Sequence, residues 1–303
     1  MRNARRSVAG TLAAGALALS LAGCGESVEP IERLGRKTTQ EVQDEASGAP
    51  GPGGSAAPSA PASPSLPPSG GASDEAYRKW GLSRPLEFAP KPAEKPKLPA
   101  APAGKVAVVD RIPVPAGEKV VFLTFDDGAE KDPEFLKMAA DLKLPISMFL
   151  TDDIASADYG YFQKLRDMGN GSVINNHTLS HPNLRTLPYT TQKREICGQQ
   201  DHLEQRFGER PRLFRPPYGN YNDDTLRAAS ECGVSSLVLW RVSMQINNFQ
   251  YAEGNALKPG DIILAHFRGR SELKGSTETQ MTTRMLRHIQ DQGFRIGRLE
   301  DYV

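Results

Sequence analysis

The stretch KVVFLTFDDG, residues 119–128, decides how the chain is read. Val120, Val121, Phe122, Leu123 and Phe125 form an apolar run too short for a helix and too continuous for a half-exposed strand. It reads as a strand buried on both faces, which is the signature of a parallel sheet covered by helices. The run stops abruptly in two carboxylates, Asp126 and Asp127, and a glycine.

Outward from this strand the pattern repeats. PEFLKMAADL (133–142) places Phe135, Leu136, Ala139 and Leu142 on one side of a helix, and ISMFLT (146–151) is a second strand. YFQKLRDMG (161–169) is a helix closed by glycine, SVINN (172–176) a third strand, and TTQKREICGQQDHLEQRFG (190–208) a long helix. RLFRPPYG, NDDTLRAASECG, SSLVLW, DIILAHF, TQMTTRMLRHIQDQG and RIGRLED continue strand, helix, strand, strand, helix, strand. Such alternation implies parallel strands joined by helical crossovers. A closed barrel and an open doubly wound sheet both satisfy it.

The placement of reactive residues says more. In a parallel barrel, chemistry gathers at the C-terminal ends of strands. Here one strand ends in Asp126-Asp127, another leads into NHTLSH (176–181), a third into FRPPY (214–218), and a fourth ends in His266. Only five histidines occur in the chain, and His177 and His181 lie four apart without the glutamate that follows the first histidine of a helical zinc-protease signature. A carboxylate and two imidazoles are a good shell for Zn²⁺, with room for water. Adjacent aspartates could divide the work, one as ligand and one as base. The bland alternatives are a turn or cap for the aspartates and a hydrogen-bonded loop pair for the histidines. Asp223-Asp224, after Asn222 at a helix start, is explained by capping. Asp152-Asp153 also follows a strand and mimics a site pair.

Composition narrows the function class. A net charge of +1 over 303 residues gives no clustered basic face, so nucleic acid is excluded as a partner. MRNARRSVAGTLAAGALALSLAGC has a cationic start, a short apolar run and small residues, which marks residues 1–23 as an export signal. Its end, LAGC, resembles the bacterial lipobox, which implies lipidation at Cys24. Residues 24–104 read as a Pro/Gly/Ser/Ala-rich and charged linker that buries too little apolar surface to fold. Within it, AYRKWGLSRPLEF (76–88) carries Trp80 and Phe88, an apolar island that would be wasted unless it folds onto something. The expected location is extracytoplasmic, anchored by lipid to the bacterial cell membrane. In that oxidising setting Cys197 and Cys232, on helices of consecutive strand–helix units, are expected to pair.

LTFDDG, NHTLSHPNL, FRPPYGNYN and ILAH, in this order, resemble the motifs of the polysaccharide deacetylases, the NodB-homology group or carbohydrate esterase family four. The resemblance covers about Lys105 to Val303. It implies an irregular (β/α) barrel of seven strands and one divalent metal ion, usually zinc, held by Asp127, His177 and His181. It further implies Asp126 as general base, Arg215 as the partner that orients it, the backbone N–H of Tyr218 as an oxyanion donor, and His266 as general acid. Removing an acetyl group from an amide needs an activated water, a stabilised oxyanion and a protonated leaving nitrogen, and these residue types supply all three. The implied substrate is an N-acetylated polysaccharide, peptidoglycan or a chitin-type glycan, with O-acetylated xylan a further option, and the expected form is a monomer. One motif departs. LWRVSMQINN keeps Trp240 but has Ser243 where the family carries an aspartate that supports the acid histidine, and Ile246-Asn247 where Asp-Trp often stands. That departure leaves a second function open, a glycan-binding relative with weakened or lost turnover.

Overall fold

The computed structural model describes residues 75–303. The export signal, Cys24 and the linker up to residue 74 lie outside the described residues. In chain order the first elements are α1 (Ala76–Lys79), β1 (Ala107–Val109), β2 (Val120–Asp127), α2 (Pro133–Asp141), β3 (Ile146–Leu150), α3 (Asp152–Ala155), α4 (Tyr159–Asp167) and β4 (Val173–Asn176). Then follow α5 (Tyr189–Phe207), β5 (Leu213–Phe214), α6 (Asp223–Glu231), β6 (Ser236–Val238), β7 (Val242–Met244), β8 (Phe249–Tyr251), β9 (Ile262–His266), α7 (Glu278–Asp291) and β10 (Arg295–Gly297).

The ten strands form one sheet in the order β1-β6-β5-β4-β3-β2-β9-β7-β8, with β10 added beside β2. All pairings are parallel except the β7–β8 hairpin. The sheet curls into a half-barrel flanked by helices, the (β/α) architecture that the motifs implied. The opening strand is its axis. Residues 120–122 of β2 pair with β10, residues 123–127 with β3, and β9 runs along the other side. Asp126 therefore stands opposite Phe149 on β3 and His266 on β9.

Alternation along β2 sorts its side chains between two cores. Val121, Leu123 and Phe125 pack under the helices, where the rings of Phe135 and Phe267 lie 5.3 and 5.2 Å from that of Phe125. Val120 and Phe122 face the concave side with Phe149, Val238, Trp240 and Leu264. Each such fully buried large side chain contributes about 1.5–3 kcal/mol. By the same alternation Thr124 and Asp126 share the concave face with Phe122, so a carboxylate enters a largely apolar interior. Something must compensate its charge.

Two features differ from the sequence reading. The strands β1, β7 and β8 are additional, each three residues long. The linker expected over 24–104 also does not extend through its last part. Tyr77, Leu82 and Leu86 are buried in the helix-side core, Trp80 Nε1 donates to Asp141 on α2 at 2.8 Å, and Phe88 bridges to Ile296. Gln290 on α7 donates to the carbonyl of Arg84 at 2.7 Å. This segment is a strap over α2 and α7, held because its apolar side chains would otherwise remain in water. The boundary expected at 105 moves back to include it.

Candidate metal centre and active site

Four strand ends converge. β2 delivers Asp126 and Asp127, the loop after β4 delivers His177 and His181, the turn after β5 delivers Arg215 and Tyr218, and β9 delivers His266. At Asp127 the backbone leaves the strand in a left-handed conformation, φ 70°. Its Oδ1 then lies 3.5 Å from His177 Nε2 and 3.2 Å from His181 Nε2. The adjacent aspartates point differently. Asp126, on the concave face, accepts from Arg215 Nη1 at 2.7 Å.

The loop that presents the histidines is fixed from beneath by α5. Asn176 Oδ1 accepts from the N–H of Thr178, and Glu195 Oε2 accepts from the N–H of Ser180. Thr178 Oγ1 accepts from the N–H of His181. Leu179 sits directly on Gly198, where an added Cβ would come within 2.6 Å of its side chain. A glycine costs an isolated helix interior about 1 kcal/mol relative to alanine; here it permits this close approach. Of the six non-glycine residues with positive φ among those described, four belong to the site: Asp127, Thr178, His181 and Tyr218. Such conformations cost about 1–3 kcal/mol each and persist where the surrounding contacts over-determine them.

Tautomer and charge are set locally. His177 Nδ1 lies 2.7 Å from the Arg215 carbonyl, which can only accept, so the proton sits on Nδ1 and the lone pair of Nε2 faces Asp127. Burial opposes ionisation of Asp127, yet the adjoining imidazoles of His177, His181 and His266 hold its carboxyl well below the usual range. Burial likewise lowers His177, but Asp126 and Asp127 outweigh it and raise the imidazole. Asp127 Oδ1 is buried without a hydrogen-bond partner.

That atom is the test of whether a metal fits. Asp127, His177 and His181 each offer one ligand atom, all within 4.8 Å of one another. Tetrahedral zinc with ligands at 2.0–2.1 Å separates neighbouring ligand atoms by about 3.3 Å. The separations of 3.2 and 3.5 Å from the carboxylate oxygen match. The residues fit the ion.

Arg215 is the compensation that Asp126 requires. It is completely buried, donates also to Thr124 Oγ1 at 2.8 Å and to the Val238 carbonyl at 3.2 Å, and its guanidinium lies 4.2 Å from the Phe149 ring centre. Tyr218 is 39% exposed, with left-handed backbone at φ 60° and ψ 10°, and its ring lies 4.7 Å from that of His181. Ser243 is fully buried on β7, level with Leu264 of β9, and accepts from Gln245 Nε2 at 3.0 Å. All seven residues singled out from the motifs thus occur on one edge of the sheet. Cys197 and Cys232 form a disulfide between α5 and the end of α6, Cα to Cα 5.0 Å. Asp223-Asp224 opens α6 behind an Asn222–Thr225 capping box, whereas Asp152 bonds Tyr159 and His202 and lies outside the site. Thr124 and Glu195 were not singled out from sequence. Thr124 had a signal, two residues before Asp126 on the same strand face; Glu195 had none.

Residues 114–237 match the Polysaccharide deacetylase family profile. An uncharacterised Streptomyces coelicolor protein is 40% identical over 249 residues, 78% of this chain and 97% of that protein. The chain belongs to the polysaccharide deacetylase family. The hydrolase class expected from the motifs, acting on carbon–nitrogen bonds, is the class of this family. A Bacillus cereus peptidoglycan-N-acetylglucosamine deacetylase is 29% identical over 173 residues; the match spans 54% of this chain and 62% of that one. The crystal structure of the Bc1960 peptidoglycan N-acetylglucosamine deacetylase superposes with TM-score 0.54 and 25% identity, over 65% of this chain and 93% of that one.

Proposed function

We propose that this family member removes acetyl groups from an N-acetylated cell-wall glycan, peptidoglycan first among them, as a metal-dependent enzyme. The observation that carries the reading is the split of the two aspartates. One faces two imidazole lone pairs in a metal-sized triangle, while its neighbour is clamped by a buried arginine. Asp127, His177 and His181 would hold the ion, and two nitrogen ligands with one oxygen suit zinc. When bound, it supplies a Lewis acid that acidifies water and draws charge from the acetyl oxygen.

The chain's own residues do the rest. Asp126 takes a proton from the attacking water, held on the concave side by Arg215 so that its free oxygen faces the reacting edge. The oxygen of that water bonds to the acetyl carbon, and the backbone N–H of Tyr218 donates to the carbonyl oxygen as it gains charge, a contribution of about 3 kcal/mol for one well-placed donor. His266 protonates the glycan nitrogen as the carbon–nitrogen bond breaks, leaving acetate and a free amine. The name of the Bacillus cereus relative supports peptidoglycan as the glycan. Lipidation at Cys24 would hold the enzyme on the outer side of the membrane, where that polymer lies.

A second reading, a glycan-binding relative with weakened turnover, draws on Ser243. A hydroxyl bonded to Gln245 stands in the motif that elsewhere carries a carboxylate. One experiment separates them: acetate release, followed by mass spectrometry, from peptidoglycan, chitin and xylan oligomers with metal-loaded protein. Release from an N-acetylated glycan is expected. No release from any glycan by metal-loaded protein overturns the enzyme reading in favour of the binder.

A further inference from the structure

The histidine loop, residues 177–181, uses its backbone groups almost without remainder. The His177 N–H donates to the Leu150 carbonyl at 3.0 Å, and the His177 carbonyl accepts from Thr151 Oγ1 at 2.9 Å. The carbonyls of Thr178 and Leu179 accept from the N–H groups of Asp152 and Asp153, at the start of α3. Asn176 and Thr178 take the N–H groups of Thr178 and His181. Two N–H groups remain, and one residue takes both. The Glu195 carbonyl accepts from the Leu179 N–H at 3.2 Å, and Glu195 Oε2 from that of Ser180 at 3.0 Å. The Ser180 hydroxyl completes the contact, 3.1 Å from each carboxylate oxygen.

Every other group that meets the loop backbone is a neutral amide, hydroxyl, carbonyl or N–H; Glu195 alone brings a charged side chain. It is 6% exposed, and among the described residues no lysine or arginine pairs with it. A buried carboxylate is costly unless something compensates its charge. Asp126 has its cation in Arg215, whereas Asp127 meets imidazoles. Asp127 and Glu195 are thus two carboxylates with no lysine or arginine of their own, a double negative charge that one divalent ion would balance. The two imidazoles are also held differently. The His177 side chain is 3% exposed and its Nδ1 is bonded to the Arg215 carbonyl. The His181 side chain is 21% exposed, and among the described residues no carbonyl or side chain bonds its second ring nitrogen. His181 therefore takes its position from the loop backbone, through the Ser180 peptide that Glu195 holds.

We propose that Glu195 is the positioning residue for His181 and the second negative charge that the metal centre presents to a divalent ion. Hydrogen bonds to an ionised acceptor are about twice as strong as neutral ones, which suits a loop whose Thr178 and His181 both sit in left-handed backbone. Partners outside the ligand shell orient the ligands and tune the ion. Here that partner reaches the imidazole through the main chain, because the His181 ring lacks the carbonyl contact that fixes His177. This role rests on Asp127, His177 and His181 as ligands, and not on which glycan is the substrate.

The test is zinc affinity, read by chelator competition on the zinc-loaded protein, with calorimetry of the same samples to follow the fold. Glu195→Gln keeps the size of the side chain and one acceptor but removes the charge, and zinc is expected to bind about ten- to hundredfold weaker. Ser180→Ala breaks the contact from the loop side, with a severalfold loss expected and little further loss when added to Glu195→Gln. Gln192→Ala is the control. Gln192 is buried on the same helix but donates to the Leu187 carbonyl, away from the histidine loop, so melting should fall while zinc affinity stays within about twofold of wild type. The visible spectrum of cobalt-substituted protein reports ligand arrangement; it should shift in Glu195→Gln and match wild type in Gln192→Ala. Unchanged zinc affinity in Glu195→Gln, or equal weakening in Gln192→Ala, overturns the role of Glu195. Fully additive losses in the double variant overturn the route through Ser180. Wild type that takes up no zinc sinks the metal centre and this role with it, whereas tight zinc in both wild type and Glu195→Gln sinks only the role.

Discussion

Replacing Asp126 with asparagine keeps the shape of the side chain and removes its charge, which isolates the buried pair with Arg215. Arg215 is fully enclosed and donates to Asp126 at 2.7 Å. Removing one partner of a buried pair costs about 3–5 kcal/mol, because the other charge is left uncompensated. The amide oxygen of asparagine still accepts from Nη1, so the lower end, about 3 kcal/mol, is expected. For a folded body of this size each kcal/mol moves Tm by about 2–4 °C, giving a fall of about 6–12 °C. The fold survives such a loss, since domains carry about 5–15 kcal/mol of stability. Turnover, however, should fall by about 10²–10⁴ with the general base gone. Metal content should stay at one ion per chain, because Asp127, His177 and His181 are untouched. The three readouts are Tm by calorimetry, acetate release, and metal by mass spectrometry on dialysed protein. His177 Nε2 also lies 3.7 Å from Asp126 Oδ2, so loss of the ion is the dangerous outcome. A metal-free Asp126→Asn protein would mean that base and ligand had been assigned the wrong way round.

Other expectations follow from the same contacts. His181→Ala removes a ligand at the half-exposed rim of the site, so the protein should stay folded by circular dichroism yet lose both metal and turnover; metal retention would sink the ligand assignment. Glu278→Gln bears on stability. A carboxyl raised in the folded state favours the protonated form, so stability declines as pH climbs above the unfolded value near 4.5, by about 1.4 kcal/mol per pH unit until the folded value is reached. The variant should therefore melt higher than wild type at pH 7.5 and with no gain at pH 4; equal curves at pH 7.5 would show that Glu278 is not held neutral. The Cys197–Cys232 link spans 35 residues and should contribute about 4 kcal/mol in the loop-entropy account. Thiol titration of the unfolded, unreduced protein should find neither cysteine free, and two reactive thiols would contradict the bond.

How much of this was legible in the sequence depends on which physical signal each element carries. KVVFLTF announces itself because a strand covered on both faces is apolar throughout, and the motif residues at its end and at three other strand ends fall where a parallel sheet gathers chemistry. β7 and β8 were not legible, since VSM and FQY each carry a polar residue at the centre and form no apolar run. α5 hides in another way. Its inward face carries Gln192, Glu195, Gln199 and Gln200, all buried, and apolar periodicity assigns such residues to solvent. They turn inward because loop backbone needs partners: Gln199 Nε2 donates to the Leu150 carbonyl and Gln200 Nε2 to that of Pro211, each at 2.8 Å. Glu278 was invisible for the complementary reason. Nothing in STETQ distinguishes a first-turn glutamate in water from one sealed in the interior.

The bond between Cys197 and Cys232 grips α5 immediately before Gly198, the residue on which Leu179 rests. Glu195, two residues earlier, holds Ser180 of the same loop. The covalent tie therefore anchors the ruler against which two imidazole positions are measured. Ligand atoms 3.2 and 3.5 Å from Asp127 tolerate little drift before an ion loses a partner. The bond thus steadies the reacting edge as well as joining two helices, and reduced protein would carry the correct ligands at slackened spacing.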